Sequence, residues 1–218
     1  MAEATLLISS KNYSSWSLRG FLLARLSGID FVEERVSPED PRTKAELLMR
    51  TSSILIPCLI HGDVSVWDTL AIAEYLNESK PLARMLPEER RARARCRSIS
   101  GEIHSGFTAL RSSLPMNIRF RKPGFTIWSA AQADIDHICD MWRDCLTIWG
   151  GPFLFGARPS IADAMYAPVV SRFTSYDVAL DDSCRGYCAT ILAWPDMAEW
   201  VAAALEEPQE IDELDLDF

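Results

Sequence analysis

Three serines lie close together near the start of the chain, in the stretch NYSSWSLRGF from Asn12 to Phe21. Ser14, Ser15 and Ser17 follow a short apolar run and stand at the start of a helical pattern. A serine at such a junction is commonly a helix N-cap, which explains one hydroxyl but not three. A hydroxyl at a helix N-terminus also donates a hydrogen bond to a thiolate. The stretch is therefore a candidate site for activating a thiol.

A second feature is the pair Ile56-Pro57, which precedes a short β-prone run. A proline that only begins a strand is the commoner case. A cis peptide bond before Pro57 would turn the backbone N–H and C=O of Ile56 outward, where they can pair with an extended peptide. The pair is therefore a candidate peptide-binding edge.

The third feature is VWDTLAIAEYL, in which Asp68 and Thr69 open a helix. Plain helix capping is one interpretation, because both residue types are good caps. A helix start also presents N–H groups to a carboxylate, and an adjacent Asp accepts hydrogen bonds from an ammonium group. The two residues together suit the α-amino acid end of a ligand.

The elements that must position these residues begin with a small α/β unit. Strand and helix patterns alternate up to about Asn77, and strand signals fade beyond the proline-containing stretch from Ser79 to Pro87. Helical patterns then occupy residues 88–114, 129–149, 160–173 and 197–205. We therefore predict an α/β domain at 1–79, an all-helical domain at 88–205 and an acidic tail at 206–218.

Charge and composition limit the partners. The net charge is −9, and the last 13 residues hold seven acids and no base, a pattern typical of a solvated tail. The basic cluster at 90–97 has no interleaved aromatic residues, so a solvated helix face is favoured over a nucleic-acid site. No apolar run approaches the roughly 20 residues of a membrane span, and no secretory signal opens the chain. We expect a cytosolic protein with no membrane or nucleic-acid partner.

Six cysteines lack the spacing of metal ligands, and the three histidines are far apart in sequence. Buried free thiols are the favoured interpretation. We therefore expect no metal site.

Four motifs in order, SSWSLR, Ile56-Pro57, VWDTLAIAEYL and PSIADAMYAP, resemble those of the cytosolic glutathione transferase superfamily. The resemblance covers nearly the whole chain apart from the acidic tail. The SSxS pattern is most similar to the serine-type classes, especially the zeta class, whose members include maleylacetoacetate isomerases. The resemblance implies a thioredoxin-like first domain, an all-helical second domain, a cis bond before Pro57 and a homodimer.

The same resemblance assigns roles to individual residues. Ser14 matches the thiol-activating serine, and Ser15 is the second candidate. Ile56 and Pro57 match the site for the cysteinyl part of glutathione, and Asp68 and Thr69 match the pair that holds its γ-glutamyl end. The chain departs from the zeta pattern at Trp16, where zeta-like sequences have Cys. Ser160 to Asp163 match a capping box of the family, which has a structural role only.

The electrophile is expected between the two domains, beside the thiol. His104, Phe107 and Arg111 lie at spacings of three and seven residues on the first long helical pattern, and Met116 follows just beyond. These four residues are candidates to line the substrate site. The alternative is that Phe107 and Met116 are core residues and that the two polar side chains are solvated.

The sequence thus predicts a glutathione transferase, with a role in detoxification, that activates the thiol of its cosubstrate glutathione for attack on a small electrophile. One alternative is a glutathione-dependent isomerase of the maleylacetoacetate type. Another is a non-catalytic binding module of the same fold, which the apolar pair Ile54-Leu55 favours.

Overall fold

The computed structural model describes residues 2–37 and 41–208, which form one four-stranded sheet, two helices between its strands and further helices after it. The strands are β1 (Ala4–Ile8), β2 (Phe31–Arg35), β3 (Cys58–His61) and β4 (Val64–Val66). The helices are α1 (Ser15–Ser27), α2 (Pro41–Thr51), α3 (Thr69–Ser79), α4 (Arg90–Ser105), α5 (Thr108–Ser113), α6 (Ser129–Trp149), α7 (Ile161–Ser175), α8 (Asp182–Ala193) and α9 (Pro195–Leu205). A short 3-10 helix, Pro81–Ala83, lies between α3 and α4.

The sheet has the strand order β2-β1-β3-β4. Strand β1 is parallel to β2 and antiparallel to β3, so helix α1 forms the crossover between β1 and β2. Strands β3 and β4 form a hairpin, in which Gly62 adopts a positive φ of 63°. The predicted α/β unit followed by helices is confirmed.

Helix α1 connects the sheet to the helical domain. Its N-cap is Ser14, whose hydroxyl accepts a hydrogen bond from the Ser17 N–H. Its C-cap is Gly28, in the left-handed conformation with φ 71° that is typical of a glycine at a helix end. The helix is buried on nearly every side, since it packs against β1, α3, α7 and α9.

One hydrophobic core runs through both parts of the chain. It includes Leu6 of β1 and Phe21 of α1 together with Trp142 of α6 and Tyr166 of α7. Ser160 and Asp163 form the predicted capping box at the start of α7. Burial raises the pKa of Asp163, although four hydrogen bonds, from Leu154, Ser160 and Tyr187, act in the opposite direction.

Two sequence predictions about the fold need correction, and one helix is missed. The predicted helix at 88–114 is two helices, because Phe107 adopts a left-handed conformation with φ 58° between α4 and α5. Helix α8 is not predicted at all. The acidic segment is described only as far as residue 208, and within it Glu207 is buried and not solvated; residues 209–218 lie outside the described part.

Gly20 allows α1 to approach the loop before β3. A Cβ atom at Gly20 would lie 2.8 Å from both Cβ and Cγ of Pro57, which is closer than such atoms approach in proteins. The absence of a side chain at this helix position therefore sets the distance between α1 and Pro57.

We predict that Gly20→Ala lowers the free energy of unfolding by about 1–2 kcal/mol, because overpacking outweighs the roughly 1 kcal/mol by which Ala favours a helix over Gly. The matched control is Gly186→Ala in α8, where a Cβ would meet no described residue within 4 Å. That control should gain about 0.5–1 kcal/mol. Urea unfolding of both variants measures the difference, and equal stabilisation of the two would contradict the packing argument.

Candidate functional site

A cleft of about 380 Å³ lies between the N-terminal unit and the end of helix α4. This volume is within the usual range for small-molecule sites, about 300–1,000 Å³. Five of the predicted site residues line it, and three further residues join them. The lining residues are Trp16, Leu55, Ile56, Pro57, Asp68, Thr69, His104 and Ser105.

The serine cluster lies next to this cleft. Ser14 is half-buried and caps α1, whereas Ser15 lies within the helix and is only 8% exposed. The Ser14 hydroxyl donates to Ser17 Oγ at 2.9 Å, and Ser17 Oγ also accepts the Ser9 N–H at 3.0 Å. Ser14 is therefore the more accessible of the two candidate hydroxyls, although neither of them lines the cleft itself.

The Ile56-Pro57 pair forms one wall of the cleft. The peptide bond before Pro57 is cis, as the resemblance implies. Among residues 2–37 and 41–208, the backbone N–H and C=O of Ile56 make no hydrogen bond. These two groups can therefore pair with an extended peptide in the cleft.

Asp68 and Thr69 begin α3 beside this wall. Asp68 Oδ1 accepts the N–H groups of Leu70 at 2.9 Å and Ala71 at 3.3 Å, so the capping interpretation holds. The other carboxylate oxygen, Oδ2, lies 3.2 Å from His104 Nε2. Thr69 Oγ1 lies 3.4 Å from His104 Nδ1. One carboxylate oxygen of Asp68 thus caps the helix, and the other lies beside His104 at the cleft.

Trp16 contacts three cationic or titratable side chains around the cleft. Its ring centroid lies 5.1 Å from that of His104 in an edge-on arrangement. The guanidinium carbons of Arg19 and Arg111 lie 4.7 and 4.9 Å from the Trp16 ring centroid. These cation–π contacts hold the indole in place against the second domain.

Arg19 and Arg111 are paired with backbone carbonyls. Arg19 is 2% exposed, and its Nε donates to the Met165 carbonyl at 2.8 Å. Burial lowers the pKa of its guanidinium well below the ordinary value, and the charges of Arg111 and Arg172 lower it further. Arg111 donates to the carbonyls of Ile103, His104 and Gly106, and burial lowers its pKa as well.

The prediction that His104, Phe107 and Arg111 share one helical face is wrong, because α4 ends at Ser105. Phe107 is 8% exposed and Met116 is 2% exposed, and both belong to the hydrophobic core, as the alternative interpretation states. Arg111 is bound to the end of α4 and does not line the cleft. Only His104 of the four reaches the cleft.

Other features lie apart from this site. A larger cavity, about 590 Å³, lies around Lys122, Phe125 and Trp128 and shares no lining residue with the cleft.

All six cysteines are free and buried, and burial raises the pKa of Cys96 to about 12. Among the described residues, no group of three or more His, Cys, Asp or Glu is arranged to hold a metal ion. In the same part of the chain, no helix could cross a bilayer.

Sequence reasoning missed Ser105 of the cleft and two buried charged residues outside its lining, Arg19 and Glu207. Ser105 carries no local signal, because it stands at a helix end that the sequence does not reveal. Arg19 follows Leu18 in helix α1. The sequence of this helix shows one apolar stripe, and one stripe does not indicate that the other sides of the helix are also buried. Glu207 stands in a run of acidic residues, and only the tertiary structure shows that it is buried while its neighbours are exposed.

Two sequence models of known families match the chain. One, described as "Glutathione S-transferase, N-terminal domain", matches residues 13–79. The other, described as "Glutathione S-transferase, C-terminal domain", matches residues 105–203. Together these ranges cover well over half of the chain.

Several curated relatives are similar in sequence. Maleylacetoacetate isomerase of Rattus norvegicus is 30% identical over 125 residues, which are 57% of this chain and 56% of that protein. The match thus spans just over half the length of this relative, and the same holds for the Mus musculus protein. Glutathione S-transferase 1 of Dianthus caryophyllus is 26% identical over 170 residues, 77% of each protein.

Solved structures have the same fold. A bacterial zeta-class maleylpyruvate isomerase in its holo form matches 95% of this chain and 100% of its own, with a TM-score of 0.71 and 20% identity. A glutathione transferase homologue from Burkholderia with bound glutathione matches 93% of this chain and 98% of its own, with a TM-score of 0.69 and 23% identity. At these identities the likeness establishes the fold.

We predict that Arg111→Ala lowers the free energy of unfolding by about 1.5–3 kcal/mol, because hydrogen bonds from a charged donor to three carbonyls are lost. The control is Arg185→Ala, which removes an exposed ion pair with Asp182 and an exposed hydrogen bond to the Leu180 carbonyl. The control should change stability by no more than about 0.5 kcal/mol. Chemical unfolding separates the two variants, and an equally small effect at both sites would refute a structural role for Arg111.

Proposed function

The chain belongs to the glutathione S-transferase family, and on this basis we propose that it is a glutathione transferase acting on a small electrophile. The resemblance inferred from the four sequence motifs is confirmed, as are the thioredoxin-like first domain and the helical second domain. One observation carries the proposal: a single cleft brings together Ile56, Pro57, Asp68 and Thr69, which the resemblance assigns to glutathione binding.

The residues of the cleft are compatible with a glutathione molecule. The backbone N–H and C=O of Ile56, which have no hydrogen-bond partner within the described part of the chain, suit the cysteinyl part, because an extended peptide binds through such groups. The Asp68 oxygen that does not cap α3 suits the ammonium of the γ-glutamyl end. Since His104 lies beside this oxygen, we assign His104 to the part of the cleft that binds glutathione and not to the part that binds the electrophile.

When bound, glutathione supplies the thiol whose ionised form is the nucleophile. The role of Ser14 in the proposal is to donate a hydrogen bond to this thiolate at the N-terminus of α1. The Ser14 hydroxyl now donates to Ser17 Oγ, and Ser17 Oγ also accepts a hydrogen bond from the Ser9 N–H. This second bond remains when the Ser14 hydroxyl donates to the thiolate instead. Ser14 can therefore change partner without leaving Ser17 Oγ unpaired.

The energies are of the right size. A thiol pKa lowered by about two units requires about 2.7 kcal/mol of preferential stabilisation of the thiolate. A hydrogen bond to a charged group contributes about 1.5–3 kcal/mol, and a helix N-terminus contributes about 0.3–1 kcal/mol. One serine and one helix end together are therefore about sufficient. The apolar wall formed by Trp16 and Leu55 is the surface that we propose for the electrophile.

The relatives named maleylacetoacetate isomerase favour a second candidate function, a glutathione-dependent isomerase. In that reaction glutathione adds to the substrate and leaves again, so it is regenerated. Product analysis with each class of substrate separates the two: a stable conjugate supports the transferase, and an isomerised product with unchanged glutathione supports the isomerase.

We further propose, as the family resemblance implies, that the protein is a cytosolic homodimer with a role in detoxification. Exposed apolar residues such as Leu82 offer surface that a second copy could cover. Light scattering should give twice the chain mass of 24.5 kDa.

The first test of the proposed function is glutathione binding by the purified full-length protein. Calorimetry should detect one glutathione per chain, and Asp68→Asn should weaken the binding by about tenfold because it removes a charge-assisted hydrogen bond. Glu74→Gln, which removes an exposed acid further along α3, is the control. No binding and no thermal shift with glutathione would favour the non-catalytic module.

The second test concerns Ser14. Ser14→Ala should raise the pKa of bound glutathione by about 1–2 units, because a hydrogen bond to the thiolate is lost. Thiolate absorbance across a pH series measures this value, and Ser15→Ala is the control. Since Ala also weakens the helix cap, Ser14→Gly provides a variant that removes the hydroxyl at a capping cost of only a few tenths of a kcal/mol. An unchanged pKa in both Ser14 variants would remove Ser14 from the role, and a shift in Ser15→Ala would assign it to Ser15.

A further inference from the structure

Glu207 differs from the acids around it. It is 6% exposed, whereas Glu206 and Pro208 on either side are exposed. It follows helix α9 and lies against the loop between β1 and α1, nearly 200 residues earlier in the chain. A buried carboxylate is costly unless it is fully paired, so its partners determine what it does.

Four donors surround the Glu207 carboxylate. Oε2 accepts the Ser10 hydroxyl at 2.6 Å and the Asn12 N–H at 3.0 Å. Oε1 accepts the Lys11 N–H at 2.9 Å and lies 2.8 Å from Arg35 Nη2. A carboxylate has about four acceptor positions, and all of them are filled here.

Three of these donors belong to the loop that leads to Ser14. Ser10 Oγ also accepts the N–H groups of Asn12 and Tyr13, each at 3.1 Å. The Ser10 carbonyl accepts the Ser14 N–H at 3.1 Å. The conformation of Ser10 therefore links the Glu207 carboxylate to the backbone of the residue that caps α1.

The second domain supports the same arrangement. Arg119 Nη1 donates to the Glu207 carbonyl at 2.9 Å, and the Arg119 N–H donates to Asn12 Oδ1 at 3.0 Å. Trp200 Nε1 donates to the Lys11 carbonyl at 3.0 Å. Glu207 is thus held in place on one side while it holds the loop on the other.

We propose that Glu207 is a positioning residue that sets the orientation of Ser14 toward the thiolate by fixing the loop at 10–13. The proposal rests on the proposed function, because Ser14 is the thiol-activating group there. Glu207 does not touch the ligand in this role; it acts through Ser10 and the loop backbone. Glu207, one residue of the acidic segment, then supports the site from outside it and is not part of a solvated tail.

The test compares Glu207→Gln with Glu206→Gln, which makes the same charge change one residue earlier at an exposed position. In Glu207→Gln an amide NH₂ group replaces one carboxylate oxygen. This group is itself a donor, so it cannot accept the hydrogen bonds that the oxygen accepts in the wild-type protein. Amide hydrogen exchange of the free protein should become about tenfold faster or more at residues 10–13, with no change in Glu206→Gln. This measurement needs no glutathione.

The second arm measures the bound thiol. Glu207→Gln should raise the pKa of bound glutathione by about one unit and lower kcat by about threefold near neutral pH, while KM for glutathione changes less than about twofold. Ser10→Ala removes a single link of the same network and should shift the pKa in the same direction. This milder variant keeps the test decisive if Glu207→Gln folds poorly.

The outcomes separate the two proposals. A wild-type protein that binds no glutathione would contradict the proposed function. Normal wild-type behaviour, with Glu207→Gln and Ser10→Ala equal to Glu206→Gln in exchange and thiol pKa, would overturn the role of Glu207 alone. A lower melting temperature with an unchanged thiol pKa would also overturn it, because that result assigns Glu207 to stability only.

Discussion

The burial of helix α1 is the constraint on which the rest of the site depends. The helix lies between the sheet and the second domain, and ten of its thirteen residues are buried. Polar groups in such a helix need specific partners, because water cannot reach them. Ser17 is therefore bonded to Ser9 and Ser14, and Arg19 to the Met165 carbonyl. The cleft lies near the start of this buried helix, where Trp16 lines it.

Local features of the site were predictable from the sequence, and tertiary ones were not. The caps at Ser14, Asp68 and Gly28 follow from residue type and position, so short-range patterns identify them. The break between α4 and α5 depends on Phe107 in a left-handed conformation, which is uncommon for a residue with a large side chain. A helical wheel drawn through Phe107 therefore places Arg111 on the wrong face. The grouping of Asp68 with His104 required two domains to meet, and no single pattern shows that contact.

The second domain uses arginine side chains to complete helix ends. Arg111 binds carbonyls at the end of α4, and Arg172 binds the carbonyls of Leu114 and Arg111 at the end of α5. A guanidinium group suits this role because it offers five donors and its positive charge is favoured near helix C-termini. Burial lowers the pKa of Arg172 to about 10, so the group is still cationic at neutral pH. These contacts keep the α4–α5 corner fixed beside Trp16.

The single core that runs through both domains has a consequence for how such proteins change over time. The core residues of the sheet unit and of the helical unit contact one another, so the boundary between the two domains is one of chain topology and not of packing. Neither half can be exchanged for that of a distant relative without a new set of complementary side chains at the α1–α7 contact. The two halves are therefore expected to be inherited together, with substitutions on one side of this contact followed by compensating substitutions on the other.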